Sequence, residues 1–201
     1  MAQHAPDSVD DATLTRACCS GDLAAFEQLV ERYQTMLFTI ALRLSGSHDD
    51  AADIVQDTFI AAWRKIREFR GDAKISTWLT AIAINHARTR LQQAQQQQRR
   101  EAYSLDAPMA GGDGEQMPEI PAEGPSALEQ MEEAELRQAL DRCVESLPVE
   151  FREVLILRDM REMPYNDVAE VLQLREGTVK SRLFRARDAI RDCMKRMVGI
   201  L

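Results

Sequence analysis

The sequence predicts an all-α chain, arranged as two small helical bundle domains joined by a flexible acidic linker. Three observations predict it. Apolar residues recur at three- and four-residue spacing toward both ends of the 201-residue chain. No strand-like alternation of useful length appears in the first half. Between the two periodic stretches, residues 106–127 hold four Pro and four Gly, show no periodicity, and carry only Asp and Glu as charges. We therefore expect a first domain over 1–100, a linker over 101–127 and a second domain over 128–201.

Each helix has its own signal. The first is expected over 10–19, stopped by Ser20-Gly21. The second runs over 23–44, with Phe26, Leu29, Val30, Tyr33, Leu37, Ile40 and Leu44 as its inward stripe, and Ser45-Gly46-Ser47 ends it. The third starts at His48-Asp49-Asp50, where acids suit the positive end of a helix dipole, and reaches about residue 67. Residues 69–72 read as a turn and 76–91 as a fourth helix; the glutamine-rich tract 92–98 either extends it or frays. In the second half Ser126 is a candidate N-cap for a helix over 127–147, carrying Leu128, Met131, Leu136, Leu140 and Val144 and ended by Pro148. Shorter helices follow over 149–158 and 165–172, and a last one over 178–197.

Composition removes several function classes. Gly and Pro total 16 of 201 residues, which excludes collagen-like and fully disordered readings. The longest apolar run falls far short of the roughly 18 residues of a membrane span, so no membrane insertion is expected. Residues 1–11 are polar and acidic, with no signal-peptide pattern, which points to a cytoplasmic protein. The four Cys (Cys18, Cys19, Cys143, Cys193) form no CxxC pair and lie at no metal spacing from a His, so neither a metal nor another cofactor is expected. Cys143 and Cys193 read as buried small hydrophobes, with redox sensing as the rival reading. No nucleophile–base pair, phosphate-binding glycine loop or carboxylate cluster argues for an enzyme.

The net charge of -8 conceals an asymmetry. Residues 26–100 carry +3, residues 101–147 carry -10, and residues 174–201 carry +5. Attraction to phosphates depends on the local patch and not on the total. Two mildly basic modules thus flank an acidic connector.

Residues 165–184 (Y-N-D-V-A-E-V-L-Q-L-R-E-G-T-V-K-S-R-L-F) read as a helix-turn-helix. Val168, Ala169, Val171 and Leu172 face inward on the first helix, and Thr178 suits the N-cap of the second. On that helix Val179, Leu183, Ala186 and Ile190 form the core stripe. The opposite side presents Lys180, Ser181, Phe184 and Arg185 to base edges, with Arg175, Thr178 and Arg182 nearer a phosphate backbone. These residues alone also fit an ordinary helical hairpin with a solvated basic face.

Two further faces stand out. Over 53–66, Val55, Phe59, Ala62, Trp63 and Ile66 form one stripe, while Asp53, Gln56, Asp57, Ile60 and Arg64 form a second one suited to a partner. Over 69–91, Phe69, Arg70, Lys74, Thr77, Trp78, Asn85 and Arg88 combine cations, aromatics and polar groups, the chemistry that accepts unstacked bases. Trp78 also fits a plain core position.

At 53–63 (D-I-V-Q-D-T-F-I-A-A-W), 69–79 (F-R-G-D-A-K-I-S-T-W-L), 147–158 (L-P-V-E-F-R-E-V-L-I-L-R) and 177–187 (G-T-V-K-S-R-L-F-R-A-R) the chain resembles the extracytoplasmic-function group, or group IV, of the sigma-70 family. The resemblance implies an alternative sigma factor that retains only the second and fourth sigma regions. It implies that Asp53, Gln56, Asp57, Ile60 and Arg64 bind the clamp helices of core RNA polymerase, whose flap is a further contact. It implies minus-ten DNA binding and melting by Phe69, Arg70, Lys74, Thr77, Trp78, Asn85 and Arg88, with Asn85 at a base-reading position. It implies minus-thirty-five binding by Arg175, Thr178, Lys180, Ser181, Arg182, Phe184 and Arg185, passage of the acidic connector through channels that otherwise hold nucleic acid, and control by an anti-sigma factor. Ser76 and Ala81 depart from the family pattern, where an aromatic and a base are frequent. The alternatives are a stand-alone helix-turn-helix regulator that binds duplex DNA without core polymerase, and a helical adaptor.

Overall fold

The structure, a computed structural model, describes residues 10–102 and 127–198. The expectations for the N-terminal end, for Ser126 as a cap and for most of the linker lie outside the described residues. Eight α-helices occur among the described residues, with no strand: α1 (Asp11–Cys19), α2 (Leu23–Ser45), α3 (His48–Lys65), α4 (Ile75–Ala102), α5 (Ala127–Glu145), α6 (Val149–Leu155), α7 (Tyr165–Leu172) and α8 (Glu176–Val198).

Helix starts follow from side chains that satisfy the free N–H groups of a first turn. Asp10 accepts from the N–H groups of Ala12 and Thr13 at 2.7 and 2.9 Å, and these bonds hold its carboxyl below the usual range. Asp22 caps α2 and Ser47 caps α3, with Asp49 and Asp50 in the first turn as the dipole favours. Gly46 closes α2 at φ 71°, a left-handed conformation that glycine adopts without a Cβ penalty.

Several boundaries differ from expectation. α3 ends at Lys65 and tightens into a 3-10 turn, Ile66–Glu68. α4 begins at Ile75 and runs through the glutamine tract to Ala102. α6 stops at Leu155, and Ile156–Met160 widens into a π turn. α8 begins at Glu176, so Thr178 lies within its first turn and is not the N-cap. The N–H of Val179 donates to the carbonyl of Arg175 at 3.1 Å, which makes Arg175 the capping position.

The first bundle packs α2 against α3 and α4, burying Leu29, Leu37, Phe59, Ala62, Ile66 and Leu79, with Leu14 and Cys18 of α1 against the same core. The second packs α5 and α6 against α8, and α7 against α8. The bundles also meet. Ile40, Leu44, Ile54, Ile84 and Ala87 of the first join Val144, Leu157, Val168 and Leu172 of the second in one contiguous core.

Polar groups close this junction. Arg88 on α4 donates from Nε and Nη2 to the two oxygens of Glu153 on α6, at 2.6 and 2.7 Å. Glu153 is only 2% exposed. The bond to Glu153 raises the Arg88 pKa against the opposing effect of burial. Arg43 on α2 pairs with Asp141 on α5. Arg152 donates to the carbonyl of Leu44 at 2.8 Å and to that of Leu147 at 3.0 Å, and its burial lowers its pKa.

Some side chains leave the expected stripes. Val30, Val55 and Trp63 are half-buried, whereas Ile54 and Thr58 are buried on α3. Leu136 and Leu140 on α5 are exposed, the former by 48%. Their helix lies over α8 with one edge uncovered, and these leucines line the resulting groove. The side chains of Leu128 and Met131 lie outside the described residues. The largest correction concerns Cys143 and Cys193, which are joined by a disulfide and are not separate buried thiols.

Candidate functional site

Three surfaces carry the residues singled out from sequence. On α3, Asp53, Gln56, Asp57, Ile60 and Arg64 are all exposed along one side. Gln56 and Ile60 form one wall of an open groove whose other wall is α2, with Val30, Gln34 and Phe38. Ile60 is 43% exposed, an apolar side chain held at the groove rim. Asp53 instead pairs with Arg90 of α4. Sequence reasoning missed the α2 wall because Val30 scores as core by periodicity. The signal was available: Val30, Gln34 and Phe38 recur at four-residue spacing beside the true core stripe of Leu29, Tyr33 and Leu37.

The second surface is the loop between the 3-10 turn and α4. Gly71 turns it at φ 78°. The Phe69 and Trp78 rings meet at 5.2 Å between centroids, tilted by 52°, which leaves Trp78 half-buried. A cavity of about 580 Å³ opens between this loop and α1, with Phe69, Arg70 and Lys74 on one side and Asp11, Arg16 and Cys19 on the other. Asp11 is not a free anion there, since Arg32 bonds it at 2.5 Å and the Tyr33 hydroxyl also donates to it. Burial and the Asp11 bond raise the Tyr33 pKa. The cavity therefore combines an aromatic edge with three cations, which suits a base and its phosphates. The contribution of α1 has no sequence signal, because it depends on how α1 docks beside the 3-10 turn.

From Lys74, just before α4, the residues Lys74, Trp78 and Asn85 fall at i, i+4 and i+11, one helical face. Lys74 and Asn85 are exposed. Thr77 is not on this face; it is 4% exposed, which corrects its expected place among the exposed residues of this segment. Arg88 is available only in part, because Glu153 holds its guanidinium.

The third surface is α7 and α8. Val168, Ala169, Val171 and Leu172 are buried against Val179, Leu183 and Ala186. Opposite that core Arg175, Lys180, Ser181, Phe184 and Arg185 are exposed, Phe184 by 73%, while Thr178 and Arg182 are half-buried. Lys180 lies 3.7 Å from Glu176 and over the Tyr165 ring at 5.4 Å; Arg158 approaches the same ring at 4.9 Å. Tyr165 thus braces the basic stripe, a role its position in the sequence did not disclose. Arg187 makes a bidentate pair with Asp159 at 2.8 and 2.6 Å, a bond that raises its pKa.

The turn between α7 and α8 depends on Gln173, a non-glycine residue at φ 56°. A left-handed residue with a Cβ costs about 1–2 kcal/mol, of which glycine returns part to chain entropy. Gln173→Gly is expected to stabilise the protein by about 0.5–1 kcal/mol, read as a higher midpoint in a urea melt.

Together the fold and the three surfaces define an all-helical, two-bundle protein with a helix-turn-helix, and a basic stripe exposed on it, in its second bundle. Comparison with known proteins narrows the class. The model described as Sigma-70 region 2 matches residues 29–97, and that described as Sigma-70, region 4 matches residues 137–190. The ECF RNA polymerase sigma-E factor of Escherichia coli (strain K12) is 37% identical over 186 residues, 92% of this chain and 94% of that protein. The RNA polymerase sigma-H factor of Pseudomonas aeruginosa is 35% identical over 187 residues, 90% of this chain and 91% of that one. Among solved structures, CnrH in complex with the cytosolic domain of CnrY aligns with a TM-score of 0.62 at 26% identity, covering 92% of this chain and 97% of that one. The sigma factor RpoE in complex with the anti-sigma factor NepR, from Bartonella quintana, aligns with a TM-score of 0.60 at 28% identity, covering 86% and 98%. The chain belongs to the extracytoplasmic-function branch of the sigma-70 family and functions as an alternative sigma factor. No helix of the described residues is long and apolar enough to cross a membrane.

Proposed function

We propose that this chain associates with core RNA polymerase in the cytoplasm and directs it to the promoters of a stress- or envelope-responsive regulon. Residues 1–100 act as the region 2 unit, 101–127 as the acidic connector and 128–201 as the region 4 unit. The α2/α3 groove, with Gln56 and Ile60 at its rim, takes the clamp helices of the largest subunit, and Asp53, Asp57 and Arg64 flank that contact. Phe69, Arg70, Lys74, Trp78 and Asn85 hold the melted minus-ten strand, and Arg88 joins them when released from Glu153. Lys180, Ser181, Phe184 and Arg185 read the minus-thirty-five element in the major groove, with Arg175, Thr178 and Arg182 toward its phosphates. The apolar groove between α5 and α8, walled by Leu136, Leu140, Ile190 and Met194, accepts a helix of the flap. An anti-sigma factor of matching chemistry covers these faces when transcription is off.

The observation that carries this reading is the coexistence, on one sigma-type chain, of an exposed basic reading stripe and a separate apolar partner groove. A regulator acting alone needs the first, whereas the second calls for a partner. In a gel shift at stated salt, the chain alone is expected to bind promoter duplex weakly, and core polymerase plus the chain specifically. Tight specific binding without core would favour the stand-alone regulator. Ile60→Asp tests the groove directly. Ile60 is exposed, so the fold is unaffected, while a charge in a desolvated apolar contact is expected to weaken association with core by about tenfold or more in a pull-down titration.

A further inference from the structure

We propose that Cys143 and Cys193 form a reversible, hydroperoxide-responsive clasp that locks α5 onto α8. The two cysteines are 50 residues apart, with Cα atoms 5.8 Å apart, and their sulfurs are bonded. Cys18 and Cys19, although adjacent, are both free. The two ends of the bridge differ in access. Cys143 is fully buried on α5, and Cys193 is half-buried on α8. The Met197 sulfur lies 3.6 Å from the Cys143 sulfur and 4.0 Å from that of Cys193, so a thioether lies against the clasp. A partly accessible disulfide is the kind that exchange reagents reach, whereas a fully enclosed one resists them.

That asymmetry assigns the roles. The Cys193 thiol gives up its proton and its thiolate attacks one oxygen of a hydroperoxide; the O–O bond breaks, the electron pair leaves with the other oxygen, which takes up that proton to become alcohol or water, and Cys193 becomes a sulfenic acid. The Cys143 thiol then attacks that sulfur, forming the S–S bond and expelling hydroxide, which leaves as water with the thiol proton. Two thiols are oxidised and one peroxide reduced, giving a disulfide, an alcohol and water. A dithiol reductant entering at Cys193 reverses the step by exchange.

Val144 and Met194, the chain neighbours of the two cysteines, line the groove whose walls are α5 and α8. Among the described residues α5 leaves Leu136 and Leu140 uncovered and buries Ala139, Cys143 and Val144, with Asp141 paired to Arg43 of α2. Closing the bridge fixes the α5–α8 edge of the groove, and opening it loosens α5 there while Asp141 stays paired with Arg43. The consequence for transcription rests on the proposed function; the thiol chemistry does not.

The test uses the full chain, reduced, desalted and exposed to graded hydrogen peroxide. Maleimide labelling with mass detection is expected to show two of the four thiols lost, a peptide pair linked through Cys143 and Cys193, and recovery with dithiothreitol. Hydrogen exchange of the 134–145 amides is expected to slow by about tenfold in the bridged form. Cys193→Ser should abolish both effects, and unmutated protein with and without reductant gives the same comparison without a substitution. Four persistent thiols, bridging of Cys18 to Cys19 instead, irreversibility, or equal α5 exchange in the two forms would each overturn the proposal. In run-off transcription with core polymerase the two forms are expected to differ; equal output from both would overturn the coupling to the groove. Output from neither, with the clasp chemistry intact, would count against the sigma reading and leave the clasp standing.

Discussion

Replacing Lys180 and Arg185 together by Ala is expected to lower promoter-specific transcription about a hundredfold, with association to core polymerase unchanged. Both side chains are exposed on the α8 stripe opposite Val179, Leu183 and Ala186. A good base-edge contact is worth about 1–3 kcal/mol of discrimination, and losing two gives about 3 kcal/mol, or about two decades. Folding loses little. The Lys180–Glu176 approach at 3.7 Å is a surface pair, and its contact with Tyr165 is an exposed cation–π interaction; together these contribute at most about 1–2 kcal/mol. Run-off transcription from a promoter library checks the result. If the loss is uniform across promoter sequences and the salt dependence falls instead, the two residues contact phosphates and the reading stripe lies elsewhere. If transcription is unaffected, the helix-turn-helix does not read DNA.

What the sequence made legible was whatever depends on local periodicity. The α7 and α8 core stripes and the exposed set from Arg175 to Arg185 lie where spacing alone puts them, because helical period and burial agree there. The exposed face of α3 was equally readable. What failed depends on contacts distant in sequence. The α2 wall of the groove is the exception: its spacing of Val30, Gln34 and Phe38 is local, but Val30 belongs to the same apolar run as the true core. Thr77 looked like a DNA contact by motif position and is buried by the docking of α4. Trp78 was ambiguous as core or contact, and is half-buried, because Phe69 packs against its ring. The disulfide could not be read from four cysteines without a framework of spacings, since Cys143 and Cys193 meet only through the packing of α5 on α8. The meeting of the two bundles was absent from a reading that treated them as separate modules on a tether, since no local pattern distinguishes Glu153 from a solvated acid.

Glu153 supplies the second large effect. Arg88→Met is expected to destabilise the protein by about 3 kcal/mol, and Glu153→Leu by clearly less. Removing one member of a buried pair costs about 3–5 kcal/mol because the other charge is left without a partner. The two ends are unequal here. The Glu153 side chain is 2% exposed, whereas that of Arg88 is 33% exposed. Without Arg88 the carboxylate remains trapped between the bundles, which places the loss near the lower end of that range because water already reaches the Arg88 side. Without Glu153 the guanidinium can turn outward and be hydrated, and the leucine fills the space. The double variant Arg88→Met with Glu153→Leu is therefore expected to recover most of the stability lost by Arg88→Met alone, since an apolar pair of similar volume often matches a buried ion pair. Urea melts of the three variants check this. Equal losses for both single variants, adding up in the double one, would mean that the two residues do not form a pair across the junction. The same variants bear on promoter opening. On the role proposed above for Arg88 in holding the minus-ten strand, an Arg88 bonded to Glu153 is not free for that strand, so that role requires this pair to part. Glu153→Leu, which frees Arg88 and removes one tie between the bundles, is accordingly expected to increase the yield of open complexes with core polymerase at fixed concentration, and Arg88→Met to decrease it. A matching decrease in both variants would mean that Arg88 serves only to join the bundles.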